Sequence, residues 1–525
     1  MPSTRFQSPG ATAKVPETWL AALALAGAAA VVFHGALRYG FSQDDFASLA
    51  RASGLLPRLH APWRYLANQG FWDAMRVVAG KTAWPYHAAA LALHVAATLL
   101  LRTWLARRVS APAAWLGAAF FATHPALFTA LYWVSAISDP MAVAAALAAL
   151  LLFEREDAAR WLAVPAFAIA LLAKESVLPL PLVALSVAAL SPGRARRALL
   201  DPVAIALFVV GAAYAVYFVR SAYPAYFVAP GGAAGGRAAY AAGLGPHVLA
   251  NALTLTGWAA NAWWPTVRGV ADAVDASVFP WAYAAIALWL GGLAWPRLRA
   301  SGWLEGGVLF AGFLLPVVAL SHHTYHYYLT APLIGMAWCV AALADATLRP
   351  VRATATGDEP PPGAPGTPLG WSIAVALGAL LTWNGAALVR RIETAPFTDP
   401  HLRSDATVDR ALIASRLSEA LDRASLPAHA RLALWSPSSI RVDLARFPRD
   451  QVLARDTYWE RNVRAALAGG IGLIVLHPQV DSVAFLHAYA PQSASTWFVL
   501  YDPDGHARVE TAARVDSMMR SSPPW

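Results

Sequence analysis

Charge is scarce in this sequence: 14% of its 525 residues are Asp, Glu, Lys or Arg, while 58% are hydrophobic. A soluble domain of this length could bury a large core without so few charges, so the integral membrane class is favoured. Cysteine is scarcer still. Cys339 stands alone within an apolar run, which excludes an intramolecular disulfide and leaves the redox compartment unmarked. The C-terminal region has no Gly-rich phosphate loop, metal-ligand spacing or nucleophile elbow. The two halves of the chain also lack the paired broken segments that would mark a transporter built from inverted repeats.

The net charge of +9 would suit nucleic acid if it covered one face. It falls instead in short clusters between apolar runs: Arg102, Arg107 and Arg108; Arg194, Arg196 and Arg197; Arg297 and Arg299; Arg349 and Arg352. That is the pattern of cytoplasmic loops, so the basic balance reads as topology and no nucleic-acid partner is expected. The apolar segment from Trp19 to Leu37 is longer than a signal-peptide core and reads as an uncleaved first span. Further apolar runs cover 86–106, 112–134, 137–153, 160–174, 177–191, 202–220, 248–264, 279–295, 303–321, 328–346 and 370–389. Counting 248–264 as a span would put the Arg297 cluster outside, so it reads as re-entrant or interfacial, leaving about eleven spans.

The expected fold is therefore a polytopic α-helical membrane protein with a small extracytoplasmic α/β domain. Residues 1–18 form a cytoplasmic N-terminus and 19–390 the membrane domain, with an outer loop at 38–85 and a cytoplasmic linker at 349–369. Residues 391–525 form the α/β domain, with helices at Ala411–Ala424 and Tyr458–Ala468 and strands at Arg431–Trp435, Ile471–Leu476 and Thr496–Tyr501. The outer loop carries two amphipathic stretches, Asp45–Leu56 and Trp63–Val78, with the makeup of helices lying at the membrane interface and able to cover a site.

Candidate chemistry begins at Phe41-Ser42-Gln43-Asp44-Asp45-Phe46, at the outer membrane surface on this topology. Ser42 and Asp45 have capping-box spacing, which accounts for Asp45 and leaves Asp44 unexplained. A carboxylate at the edge of a low-dielectric region can have its pKa raised, which suits a general base. Asp139, Lys174 and Glu175 fall on other apolar segments facing the same side, where ionisable groups are costly unless paired or wet. Arg220, His322, His323 and His326 complete the polar set. The spacing of His323 and His326 leaves a divalent cation open, without the further ligands that would specify one. His87 and His94, seven apart on one helical face, read as hydrogen-bonding to neighbouring spans.

The order of these motifs is similar to the GT-C superfamily of integral membrane glycosyltransferases. It comprises the acidic pair, Trp84-Pro85-Tyr86-His87, His124-Pro125 through Trp133-Val134-Ser135 to Asp139, then Ala173-Lys174-Glu175-Ser176 and, more faintly, Tyr325-His326-Tyr327-Tyr328. The branch most resembled includes the protein O-mannosyltransferase-like and tetratricopeptide-bearing transferases, although no such repeats follow the last span here. The resemblance implies a polyprenyl-phosphate sugar donor and an acidic residue of the first outer loop, Asp44 or Asp45, as catalytic base. It further implies an enzyme of the bacterial-type inner membrane that transfers sugar to a protein, lipid or glycan at the extracytoplasmic face. Thr129 stands where the branch usually has Glu, Ala136-Ile137 where it has Gly-Arg, and His326 or Tyr327 where it has Arg. These departures keep a second reading open, a non-catalytic membrane relative or scaffold; a transporter is a third.

Overall fold

The computed structural model describes residues 15–190, 200–224, 241–261, 275–321, 323–348, 366–394, 405–436, 460–486, 489–502 and 505–521. The Arg194–Arg197 and Arg349–Arg352 clusters, His322, and most of the 349–369 linker and of the Arg220–His247 loop lie outside the described residues. In chain order the helices are α1 (Val15–Phe33), α2 (Asp44–Ala52), α3 (Phe71–Ala79), α4 (Trp84–Leu105), α5 (Ala111–Thr123), α6 (Phe128–Tyr132), α7 (Ser138–Phe153) and α8 (Ala163–Ala173). They continue with α9 (Leu180–Leu190), α10 (Pro202–Tyr217), α11 (Pro246–Ala260), α12 (Phe279–Gly292), α13 (Pro296–Ala300), α14 (Trp303–Val318), α15 (Pro332–Leu348) and α16 (Pro368–Thr394).

Among the described residues five helical stretches are long and apolar enough to cross a membrane: Trp19–Arg38, Trp84–Leu105, Val134–Phe153, Pro202–Ala222 and Pro368–Thr394. A sixth is formed if the bent pair Ala111–Thr123 and Pro125–Tyr132 counts as one span, and five shorter apolar helices accompany them. Large apolar side chains such as Trp19, Leu23, Leu288 and Trp383 are exposed on these helices, as a lipid-facing surface requires. Residues 248–260 of the 248–264 run lie in α11, whose 15 residues span only ~22 Å; 262–264 fall outside the described residues.

The 112–134 run is not one straight helix. Pro125 cannot donate a backbone hydrogen bond, His124 is extended, and the two halves meet at 44°. Two histidines of α4 meet carbonyls of the bent segment: His94 Nε2 lies 3.0 Å from Ala122 O and His87 Nδ1 lies 3.3 Å from Leu131 O. This is how a broken helix keeps its backbone satisfied away from water. At the far end of α4, Arg107 and Arg108 pair with Glu154. That end is ~33 Å, or 22 residues at 1.5 Å each, from the start of α4, which follows the 38–85 loop.

The C-terminal region adds α17 (Ala406–Asp422), β1 (Ala430–Trp435), α18 (Ile471–Leu476), β2 (Val480–Leu486), β3 (Thr496–Tyr501), β4 (Ala507–Thr511) and α19 (Ala512–Ser521), with residues 460–466 also helical. The sheet order is β2-β1-β3-β4; β1 is parallel to both neighbours and β4 is antiparallel. Ile471–Leu476, expected as a strand, is a helix, and Val480–Leu486 takes the strand place beside β1. A six-residue apolar run fits either element, and long-range pairing decides between them.

One face of this sheet is covered by helices of its own domain, through Ile413, Leu417, Leu421 and Leu473, and the core continues beyond them. Leu432, Leu434, Val480 and Val499 share that core with Phe41, Phe46, Leu49 and Trp72 of the 38–85 segment. The amphipathic stretches read as interfacial thus find protein over much of their apolar surface, while Leu55 and, at the tip of α3, Val77 and Val78 are exposed. Amphipathicity measures that a face needs covering and is silent on what covers it.

Candidate active site

The motif Phe41–Phe46 is anchored at both ends. Phe41 sits among Trp72 and Tyr86, with ring centroids 5.9 and 5.0 Å away, and Phe46, in the first turn of α2, is buried. The two carboxylates between them have opposite environments. Asp45 is buried, and its Oδ2 accepts from the Ser42 backbone N–H at 3.0 Å. Its Oδ1 accepts from the Ser135 N–H at 2.7 Å and the Ser135 hydroxyl at 2.6 Å. The backward half of the expected capping box is therefore present, while Gln43 takes the cap position without a side-chain bond to the helix. Asp45 also ties the 38–85 loop to the segment after Trp133.

Burial pushes the Asp45 carboxyl up to about 7 despite these donors. Between its ordinary value near 3.8 and about 7, the folded protein then binds more protons than the unfolded chain. Stability contributed by this group is full below that window and is lost as pH rises through it. The melting-temperature difference between wild type and Asp45→Asn is expected to shrink as pH is raised from about 4 to 8. A difference that grew with pH would show that the three donors outweigh burial.

Asp44 is exposed, yet protein packed around it raises its pKa against the opposing charges of Arg51, Arg410 and Arg64. Accessible to water and densely surrounded at once, it has the environment of a group in a recess. Its accessibility is the feature Asp45 lacks.

Arg64 is the residue that sequence reasoning passed over. It falls within the amphipathic stretch Trp63–Val78, where a charged side chain on the polar face draws no notice. The structure gives it φ 48°, a left-handed conformation uncommon outside glycine, just before a π-helical turn at Leu66–Gly70. Its Nε donates to Glu175 Oε2 at 2.8 Å and a second nitrogen donates to Oε1, a bidentate pair. The guanidinium acts electrostatically on Asp44 and on His323. The left-handed backbone is a strained feature at a polar focus, but strain of this kind is not written in residue spacing.

Lys174 and Asp139 form a buried pair with Nζ 2.5 Å from Oδ2. Lys174 is extended at the break after α8, and Asp139 lies in the first turn of α7. The same ammonium sits 4.7 Å from the centroid of Tyr327 and 5.7 Å from that of Tyr328, bringing the Tyr325–Tyr328 segment to the pair. Tyr328 Oη and His323 Nδ1 are 2.5 Å apart. Burial, with Arg64 and Lys174 nearby, lowers His323 to about 3, and burial lowers His326 to about 4. Both imidazoles are therefore neutral near pH 7 and can contribute hydrogen bonds, but not charge.

The structure thus gathers Asp44, Asp139, Lys174, Glu175 and His323, with Arg64 as the link between them. His326 is turned to another neighbour, stacked 3.8 Å from Trp258. Arg220 is exposed near the end of the Pro202–Ala222 span and forms no ion pair with a described residue. Among the described residues no group of three or more His, Cys, Asp or Glu is placed to hold a metal ion.

Comparison with known proteins finds no matching family model and no matching curated protein. Among solved structures the chain is similar to the crystal structure of ArnT from Cupriavidus metallidurans bound to undecaprenyl phosphate. The two are 15% identical, the match covers 88% of this chain and 78% of that one, and the TM-score is 0.40.

Proposed function

We propose that the protein transfers a glycosyl group from a polyprenyl-phosphate donor to an acceptor hydroxyl at the extracytoplasmic face of the inner membrane. The observation that carries this reading is the convergence of an accessible carboxylate, Asp44, with the Arg64–Glu175 and Lys174–Asp139 pairs. These groups come from separate segments and meet at the same end of the helices. Asp44 takes the proton of the acceptor hydroxyl as its oxygen bonds to the anomeric carbon. The bond from that carbon to the donor phosphate breaks, and the charge left on the phosphate is met by Arg64 and Lys174. Asp45 holds the loop through Ser42 and Ser135, and His323 and Tyr327 line the approach.

Arg64→Gln is expected to weaken binding of polyprenyl phosphate by about ten- to a hundredfold, the value of a charged hydrogen bond. Arg58→Gln, which removes a more exposed pair with Asp73, serves as control. The check is a binding titration on purified protein in lipid nanodiscs, followed by transfer from radiolabelled polyprenyl-phosphate sugars. Equal binding by wild type and Arg64→Gln removes Arg64 from the donor site. A non-catalytic relative is favoured by one observation: Arg64 and Lys174 both already face carboxylates at ion-pair distance. Binding of the lipid without transfer of any sugar would select that reading.

A further inference from the structure

Gln43, the residue before Asp44, has φ 56° and ψ −129°, a conformation that glycine adopts readily and a side-chain-bearing residue does not. Such a conformation persists only where its surroundings impose it. Here they come from the other end of the chain. The Gln43 backbone N–H donates to Ala466 O at 2.9 Å, and its side-chain carbonyl accepts from Arg410 at 2.6 Å across 367 positions of sequence. Arg410 is itself oriented, since its Nε donates to Asn462 Oδ1 at 2.8 Å and Asn462 donates to Asp409 at 3.2 Å. On the other side of Asp44, Phe46 lies against Gly472 so closely that a Cβ there would come within 2.6 Å of the ring. The turn that presents Asp44 is held at its entry and in its first helical turn by the C-terminal domain.

We propose that the C-terminal α/β domain is a positioning part of the membrane site, with Arg410 holding Gln43 in its left-handed conformation and thereby fixing Asp44. The catalytic consequence rests on Asp44 being the base, whereas the clamp itself does not. Arg410 touches Gln43, so it acts on the reacting group through a neighbour, and its charge also opposes the burial of Asp44.

The test uses the full chain with Asp44→Cys. The one native cysteine, Cys339, is buried, so alkylation by iodoacetamide reports position 44. Adding Arg410→Ala is expected to change the alkylation rate by about threefold or more, with Arg410→Lys returning toward the parent and Arg423→Ala leaving it unchanged. Gln43→Gly, which tolerates the backbone conformation while removing the side chain that meets Arg410, is expected to shift the rate in the same direction as Arg410→Ala. An unchanged rate in both variants overturns the clamp. In a chain with Asp44 intact, Arg410→Ala is expected to lower kcat for transfer from a radiolabelled polyprenyl-phosphate hexose by about tenfold. KM for the donor should stay within about twofold, because the donor phosphate is held elsewhere. Altered alkylation with no transfer by any variant would leave the clamp standing and overturn the catalytic reading alone.

Discussion

Asp44→Asn is expected to lower the rate of sugar transfer by about a hundred- to ten-thousandfold, the usual cost of removing a positioned general base. The amide has nearly the same shape, so the loop, the Gln43 contacts and donor binding should survive. The loss should therefore appear in kcat with little change in KM. Asp157→Asn, an exposed carboxylate paired with Arg155, should leave both constants unchanged. The pH dependence gives a second reading of the same group. Burial raises the Asp44 pKa, with Arg51, Arg410 and Arg64 opposing it, and a base must be deprotonated to act. The rate of the wild type should therefore climb with pH through an inflection above the ordinary carboxylate range. Full transfer by Asp44→Asn, measured with labelled lipid-linked sugar, would end the assignment.

The helical plan was legible because a bilayer forces each span to satisfy its own backbone, which leaves a long apolar run in the sequence. The runs at 86–106, 137–153 and 370–389 reappear as α4, α7 and α16. The bend at His124-Pro125 went unread, because the run 112–134 is apolar throughout and counts as one span, although proline disfavours a helical residue before it. The division of labour between the carboxylates was partly legible as well: the capping spacing pointed to Asp45 as the structural member, and three hydrogen bonds now account for it. Tertiary contacts were not legible. The partner of the α2 apolar face, the fate of Ile471–Leu476 and the reach of Arg410 to Gln43 all depend on segments far apart along the chain. Arg64 was hidden for a related reason. In an amphipathic stretch its charge has a sufficient explanation, and only the fold shows that the side chain turns to Glu175.

Lys174→Met is expected to destabilise the protein by about 3–5 kcal/mol, the cost of leaving a buried carboxylate without its cation. Both side chains of the pair are almost wholly buried, at 3% and 4% exposure, so water cannot replace the lost partner. Lys174→Met combined with Asp139→Leu should recover most of that loss, because an apolar pair of similar volume avoids the desolvation of both charges. Thermal unfolding in one detergent, followed by tryptophan fluorescence, checks both values. The double variant then separates stability from function. If Lys174 serves the departing phosphate, the refolded double variant should bind polyprenyl phosphate more weakly than wild type and transfer slowly. If it folds, binds and transfers normally, the Lys174–Asp139 pair is a fastening between α7 and α8 and Arg64 carries the phosphate charge alone. The single variant cannot make that distinction, since an unpaired Asp139 would repel an anionic donor even where Lys174 never touched it.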